Sequence, residues 1–226
     1  MSETSGVLSG FDVVLDADEL IASLRISEDD REEFLAVLDQ VKKTAAPKVQ
    51  WRQMTIDEAG NDWVSLCGRR FGSAMVARQM KPAVGKEAIA YVATCGRELH
   101  DLARAQDDPL AEWWIDAISE TVLRRAITQI FQLMNTHLGE GITVNPGSTQ
   151  GWTVAGQDDL FTLLGDVPGR IGVSLTDSWL MVPYKSVSGL YFPSESDYVN
   201  CMFCTIEKCP NRRAPFDPSG GMMANA

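Results

Sequence analysis

Asp108-Pro109 opens the stretch of this chain that leaves the fewest choices. An aspartate can accept the free amides of a first helical turn. A proline just inside the start gives up an amide that would have no partner there. Leu110, Trp114, Ile118, Leu123, Ile127, Ile130 and Met134 then keep an apolar face as far as Gly139. The spacing predicts one long helix with a continuous side to bury. A helix of that length must lie along another layer, and the rest of the chain has to supply it.

That layer reads as strands. Glu87 to Thr94 is an apolar run that passes through Cys95 and Gly96 into a helix beginning near Arg97. Val49 to Ile56 and Trp63 to Cys67 read as further strands, while Phe71 to Gln79 alternates less cleanly. Phe11 to Asp16 and Leu20 to Ile26 are also read as strands. A helix then starts at Ser27, with Phe34, Leu35, Leu38 and Val41 on its apolar side and Pro47 beyond its end. Glu140 to Ala155 is expected to be a loop, punctuated by Gly141, Pro146, Gly147 and Gly151. A short helix over Asp158 to Leu164 precedes a final strand pair from Leu175 onward, with a turn at Ser186 to Gly189. Helices and strands mix without strict alternation, so the fold class is α+β. We expect a single domain over residues 1–216, with a disordered tail at 217–226.

The 226 residues carry a net charge of −11, which disfavours a phosphate-backbone partner. No apolar run reaches the length of a membrane span, and the first ten residues lack a basic start and apolar core. A cytoplasmic location follows as the expectation. Five cysteines suit a reduced compartment better than a disulfide framework. Cys201, Cys204 and Cys209 stand in C-x2-C-x4-C order and are candidates for an iron–sulfur centre or a zinc site. Three ligands leave a tetrahedral site one short, so three reduced thiols are the alternative. Trp113, Trp114 and Trp179 are read as packing residues. His100 and His137 are too far apart in sequence to be read as a metal pair.

Three segments carry a family resemblance. They are Gly141-Ile142-x-x-x-Pro146-Gly147, the Leu160-Phe161-Thr-Leu-Leu164 helix, and Leu175-Thr176-Asp177-Ser178 leading through Met181 and Pro183 to Ser186-Val187-Ser188-Gly189-x-Tyr191-Phe192. Their order and spacing resemble the activation domain of cobalamin-dependent methionine synthase. Val92 to Leu99 and Trp114 to Ala117 are similar to small free-standing relatives of that domain. The likeness runs from about Ala90 to Pro215.

The resemblance implies a C-shaped domain with a twisted antiparallel sheet and flanking helices. It implies an accessory protein of a corrinoid methyltransferase system, capping or reactivating cobalamin held by a partner. Pro146, Gly147, Ser186, Ser188, Gly189 and Tyr191 become the implied cofactor contacts. Electron delivery through a cysteine-bound iron–sulfur centre is one route. A non-redox subunit with structural zinc is the other. The family loop presents an arginine and a tyrosine to S-adenosylmethionine where this chain has Thr143 and Ser148. Losing a guanidinium fork removes charged hydrogen bonds, so binding of that methyl donor is expected to be weak.

Overall fold

The computed structural model describes residues 5–148, 151–204, 209 and 212–217. Seven helices and nine strands are present among them: α1 Ala17–Leu24, α2 Arg31–Thr44, α3 Ala74–Met80, α4 Arg97–Arg104, α5 Pro109–Leu138, α6 Gly156–Leu164 and α7 Val167–Ile171; β1 Ser5–Leu8, β2 Lys48–Ala59, β3 Trp63–Leu66, β4 Arg69–Gly72, β5 Glu87–Thr94, β6 Gly141–Val144, β7 Ser174–Leu175, β8 Met181–Val182 and β9 Ser186–Pro193. Seven strands form one antiparallel sheet in the order β4-β3-β2-β5-β9-β6. Strand β1 pairs with the first half of the long strand β2, on the edge that β3 takes further along. The architecture is α+β, as expected.

Strand β5 explains the layering. Its residues alternate sides, and both sides are buried. Ala88, Ala90 and Val92 face a core shared with α3, α6 and α7, while Ile89, Tyr91 and Ala93 face α2, α4 and α5. Helix α5 forms where expected, and the Asp108 carboxylate accepts from the amides of Leu110 and Ala111 at 3.0 and 3.3 Å. Trp114 meets Phe34 edge to face at 5.6 Å, locking α5 to α2. Phe131 meets Tyr91 at 5.9 Å and Tyr191 at 6.2 Å, locking α5 to the sheet. Gly96, at φ 104°, makes the passage from β5 to α4, where a Cβ would lie 2.6 Å from the Ala46 carbonyl oxygen.

Several expectations are corrected. Leu20 to Ile26 is not a strand. Asp16 accepts from the Glu19 amide, acidic residues fill the first turn, and α1 buries Leu20. Phe11 to Asp16 is irregular, and the first strand is β1 instead. Ser27 does accept from the Asp30 amide, but α2 begins only at Arg31. Phe71 to Gln79 resolves into the end of β4 and helix α3, whose N-cap is Ser73. The expected loop from Glu140 to Ala155 begins with β6, which pairs Thr143 with Tyr191. Ser186 to Gly189 is no turn: it belongs to β9, a strand between β5 and β6. Of the expected tail at 217–226, residues 218–226 lie outside the described residues, and Asp217 donates its amide to the Met202 carbonyl at 2.7 Å. Among the described residues no helix is long and apolar enough to cross a membrane.

Candidate functional site

The implied contact residues separate into three places. Pro146, Gly147, Ser188 and Gly189 gather around Asn145. The Asn145 amide nitrogen donates to the Ser188 carbonyl at 2.6 Å and to the Tyr91 hydroxyl at 3.0 Å. The Tyr91 hydroxyl and Thr143 Oγ1 are 2.8 Å apart. Asn200 donates to Asn145 Oδ1, so the segment that carries the cysteines lies against this loop. Gly147 is exposed at φ 77°, and its amide donates to the Trp152 carbonyl. Ser188 is buried, with Oγ 3.4 Å from Gln157 Oε1. Ser186 lies at the far end of β9, donating to Thr94 Oγ1 at 2.9 Å. Tyr191 is buried on the helix side, donating to Asn135 Oδ1 and to the Gly139 carbonyl. Ser188, Gly189 and Tyr191 thus have their partners inside the fold.

The cysteine segment is organised by two arginines. Arg212 donates to the carbonyls of Cys201, Cys204 and Ala214 at 2.6, 2.8 and 3.1 Å. The Arg213 amide donates to Cys201 Sγ at 3.4 Å. Partial burial raises the Cys201 thiol, but hydrogen bonds and charge from Arg213 outweigh it and hold the thiol below its ordinary value. Among the described residues no three His, Cys, Asp or Glu side chains come together as a metal site. The Cys201, Cys204 and Cys209 thiols are thus not drawn together as a three-ligand set among the described residues. What holds this segment is backbone carbonyls on a guanidinium.

A cleft of about 360 Å³ opens elsewhere, between α4, α5 and the Pro183–Lys185 segment that leads into β9. Trp113, 50% exposed, and Tyr184, 56% exposed, lie on it, and His100 meets the Tyr184 ring edge to face at 5.9 Å. Two ion pairs line it: Lys185 with Asp116 at 2.9 Å and Arg104 with Glu112 at 2.7 Å. Cys95 backs it, 1% exposed, its thiol pushed up to about 12 by burial and by the Asp116 charge. Trp179 and Leu180, on the β7–β8 hairpin just before Pro183, are also exposed.

Reading Trp113 and Trp179 as packing residues is thereby corrected; of the three tryptophans so read, Trp114, 1% exposed, is the one that packs in the core. The signal was in the sequence. Two adjacent helical residues point about 100° apart, so a Trp-Trp pair on one amphipathic helix cannot share a narrow buried face. Tyr184 and Lys185 gave no comparable signal, because the short segment around them has no period.

Residues 118–212 match the family described as vitamin B12-dependent methionine synthase, activation domain. A crystal structure of the MetH reactivation domain bound to AdoHcy superposes with a TM-score of 0.59 at 16% identity, over 86% of this chain and 81% of that one. No curated protein sequence matches the chain. Residues 118–212 thus carry the sequence pattern of the vitamin B12-dependent methionine synthase activation domain, and the chain shares the fold of the MetH reactivation domain over most of its length.

Proposed function

We propose that this protein is an accessory to a cobalamin-dependent methyltransferase and works by capping the corrinoid on its partner, through the face around the α4–α5 cleft. The observation that carries the reading is the pair of exposed aromatic side chains Trp113 and Tyr184 on that cleft, with Trp179 and Leu180 exposed on the hairpin that precedes Pro183 in sequence. Large apolar side chains at a surface are unfavourable unless something covers them, and Trp and Tyr are the residues on which protein contacts most depend. The lining suits a flat macrocycle with a polar rim, since it offers both aromatic faces, Trp113 and Tyr184, and charged pairs, Arg104–Glu112 and Lys185–Asp116. Bound there, the corrinoid supplies the methyl-transfer chemistry; this chain's residues orient it and exclude water.

Electron delivery through a centre on Cys201, Cys204 and Cys209 requires those thiols to converge. Capping is placed first because the exposed Trp113 and Tyr184 on the cleft offer it a surface. Binding of an S-adenosyl ligand, as in the AdoHcy-bound reactivation domain, comes second. The Thr143 hydroxyl is already engaged by Tyr91, and Thr143 brings no charge to the loop.

The test is association with a cobalamin-loaded methyltransferase module, measured by sedimentation. Trp113→Ala with Tyr184→Ala should weaken it about 30-fold or more, since losing a central aromatic contact costs about 2 kcal/mol or more. Unchanged association of the folded double variant sinks the reading. Iron and zinc analysis of protein purified without oxygen decides the redox alternative.

A further inference from the structure

We infer that the α4–α5 cleft recognises primary carboxamide arms at the edge of the corrinoid, with Asp116 and Lys185 as the discriminating pair. The inference rests on the capping reading and names what that face selects.

Size comes first. At about 360 Å³ the cleft lies near the lower end of the roughly 300–1,000 Å³ of ordinary ligand pockets. It admits side arms and one edge of a macrocycle, while the ring itself must lie outside, against Trp113 and Tyr184.

Charge comes second. Two cations, Arg104 and Lys185, are matched by two anions, Glu112 and Asp116, at 2.7 and 2.9 Å. A cleft so balanced draws in neither an anion nor a cation by net field, and a neutral ligand loses least on entry. Each pair nevertheless presents a strong donor beside a strong acceptor. A primary carboxamide has the matching chemistry: a carbonyl oxygen for the ammonium and an NH₂ group for the carboxylate. The Lys185 side chain is 27% exposed and that of Asp116 53%, so the pair is open to a ligand while Lys185 is held against the wall. Carboxamide arms surround a corrin ring, so a partner's corrinoid brings many copies of this group.

Rejection follows from the same geometry. Hydrolysing one arm to a carboxylate replaces a donor with a second anion facing Asp116. The measurement is binding to a methyltransferase module loaded with cobalamin, or with a derivative in which one side-chain amide has been hydrolysed; each of the monoacid isomers is compared. Wild-type protein should bind the amide form about tenfold tighter than at least one monoacid. Asp116→Asn leaves Lys185 unbalanced and should erase or invert that preference, while Lys185→Gln should sharpen it. Free cobalamin and its monoacids, titrated alone, form a second arm: the same discrimination there shows that the cleft reads the cofactor itself, without contacts from the module.

Equal affinity for amide and every acid form overturns the inference, as does an Asp116→Asn variant with unchanged preference. If either happens while association still depends on Trp113, the capping reading stands and only the carboxamide assignment fails. If no loaded module associates at all, both fall together.

Discussion

Replacing Gly189 with alanine tests the buried centre of the loop–strand junction. Gly189 sits in β9 opposite Tyr91, and a Cβ there would lie 2.5 Å from the Asn145 amide nitrogen, 2.8 Å from the Val144 carbonyl oxygen and 2.9 Å from the Tyr91 hydroxyl. The first belongs to a buried hydrogen-bonded amide, the second to backbone and the third to a buried hydrogen-bonded phenol, so none can swing freely away. Asn145 must give up or stretch its bonds to the Ser188 carbonyl and to Tyr91. Each neutral buried bond contributes about 0.5–1.5 kcal/mol, and forcing a carbon into a packed site costs about 1–3 kcal/mol more. The sum centres near ~3–4 kcal/mol, a large share of the ~5–15 kcal/mol that holds a domain together. For a chain of this size the midpoint should fall by roughly 6–15 °C, at about 2–4 °C per kcal/mol. Thermal unfolding followed by circular dichroism measures it, with urea titration as the check that unfolding stays two-state. A midpoint within about 2 °C of wild type would refute the reasoning, given the same per-kcal shift. It would mean that β9 and the Asn145 loop part easily, and that Gly189 could after all lie open to a flat ligand.

Two more outcomes follow from local chemistry. Asp108→Ala removes the carboxylate that caps two amides at the start of α5 and should cost about 1 kcal/mol, within the ~0.5–2 range for such caps; urea midpoints measure it, and no change would mean the first turn is held by packing alone. Alkylation by iodoacetamide near neutral pH, read by mass spectrometry, should mark Cys201 well before Cys95. The Cys201 thiol is held low by Arg213 and gains reactive thiolate at a lower pH, whereas Cys95 is buried and pushed up to about 12. Arg213→Ala should move the pH profile of Cys201 labelling upward, and an unmoved profile would remove the Arg213 side chain as a cause and leave only backbone amides.

Much of the frame was legible because its signals are local. The Asp108-Pro109 cap, the apolar period behind it and the doubly buried run of β5 each involve residues within a few positions of one another. They point to α5, β5 and an α+β arrangement with no partner needed. Leu20 to Ile26 misled because a short apolar run suits either a strand or a helix; the Asp16 cap, one turn upstream, is what selects α1.

The site was a different matter. Whether Ser186 to Gly189 turns or pairs depends on β5 and β6 lying on either side, and those contacts reach across many tens of residues. The cleft is likewise assembled from α4, the first turns of α5 and the approach to β9, with Asp116 meeting Lys185 only in the folded chain. Sequence by itself determined which segments must bury a face, since period and caps are properties of the chain. Only the tertiary structure decided which polar and aromatic groups were left uncovered. Exposure depends on everything packed around a residue, and no local pattern carries that information.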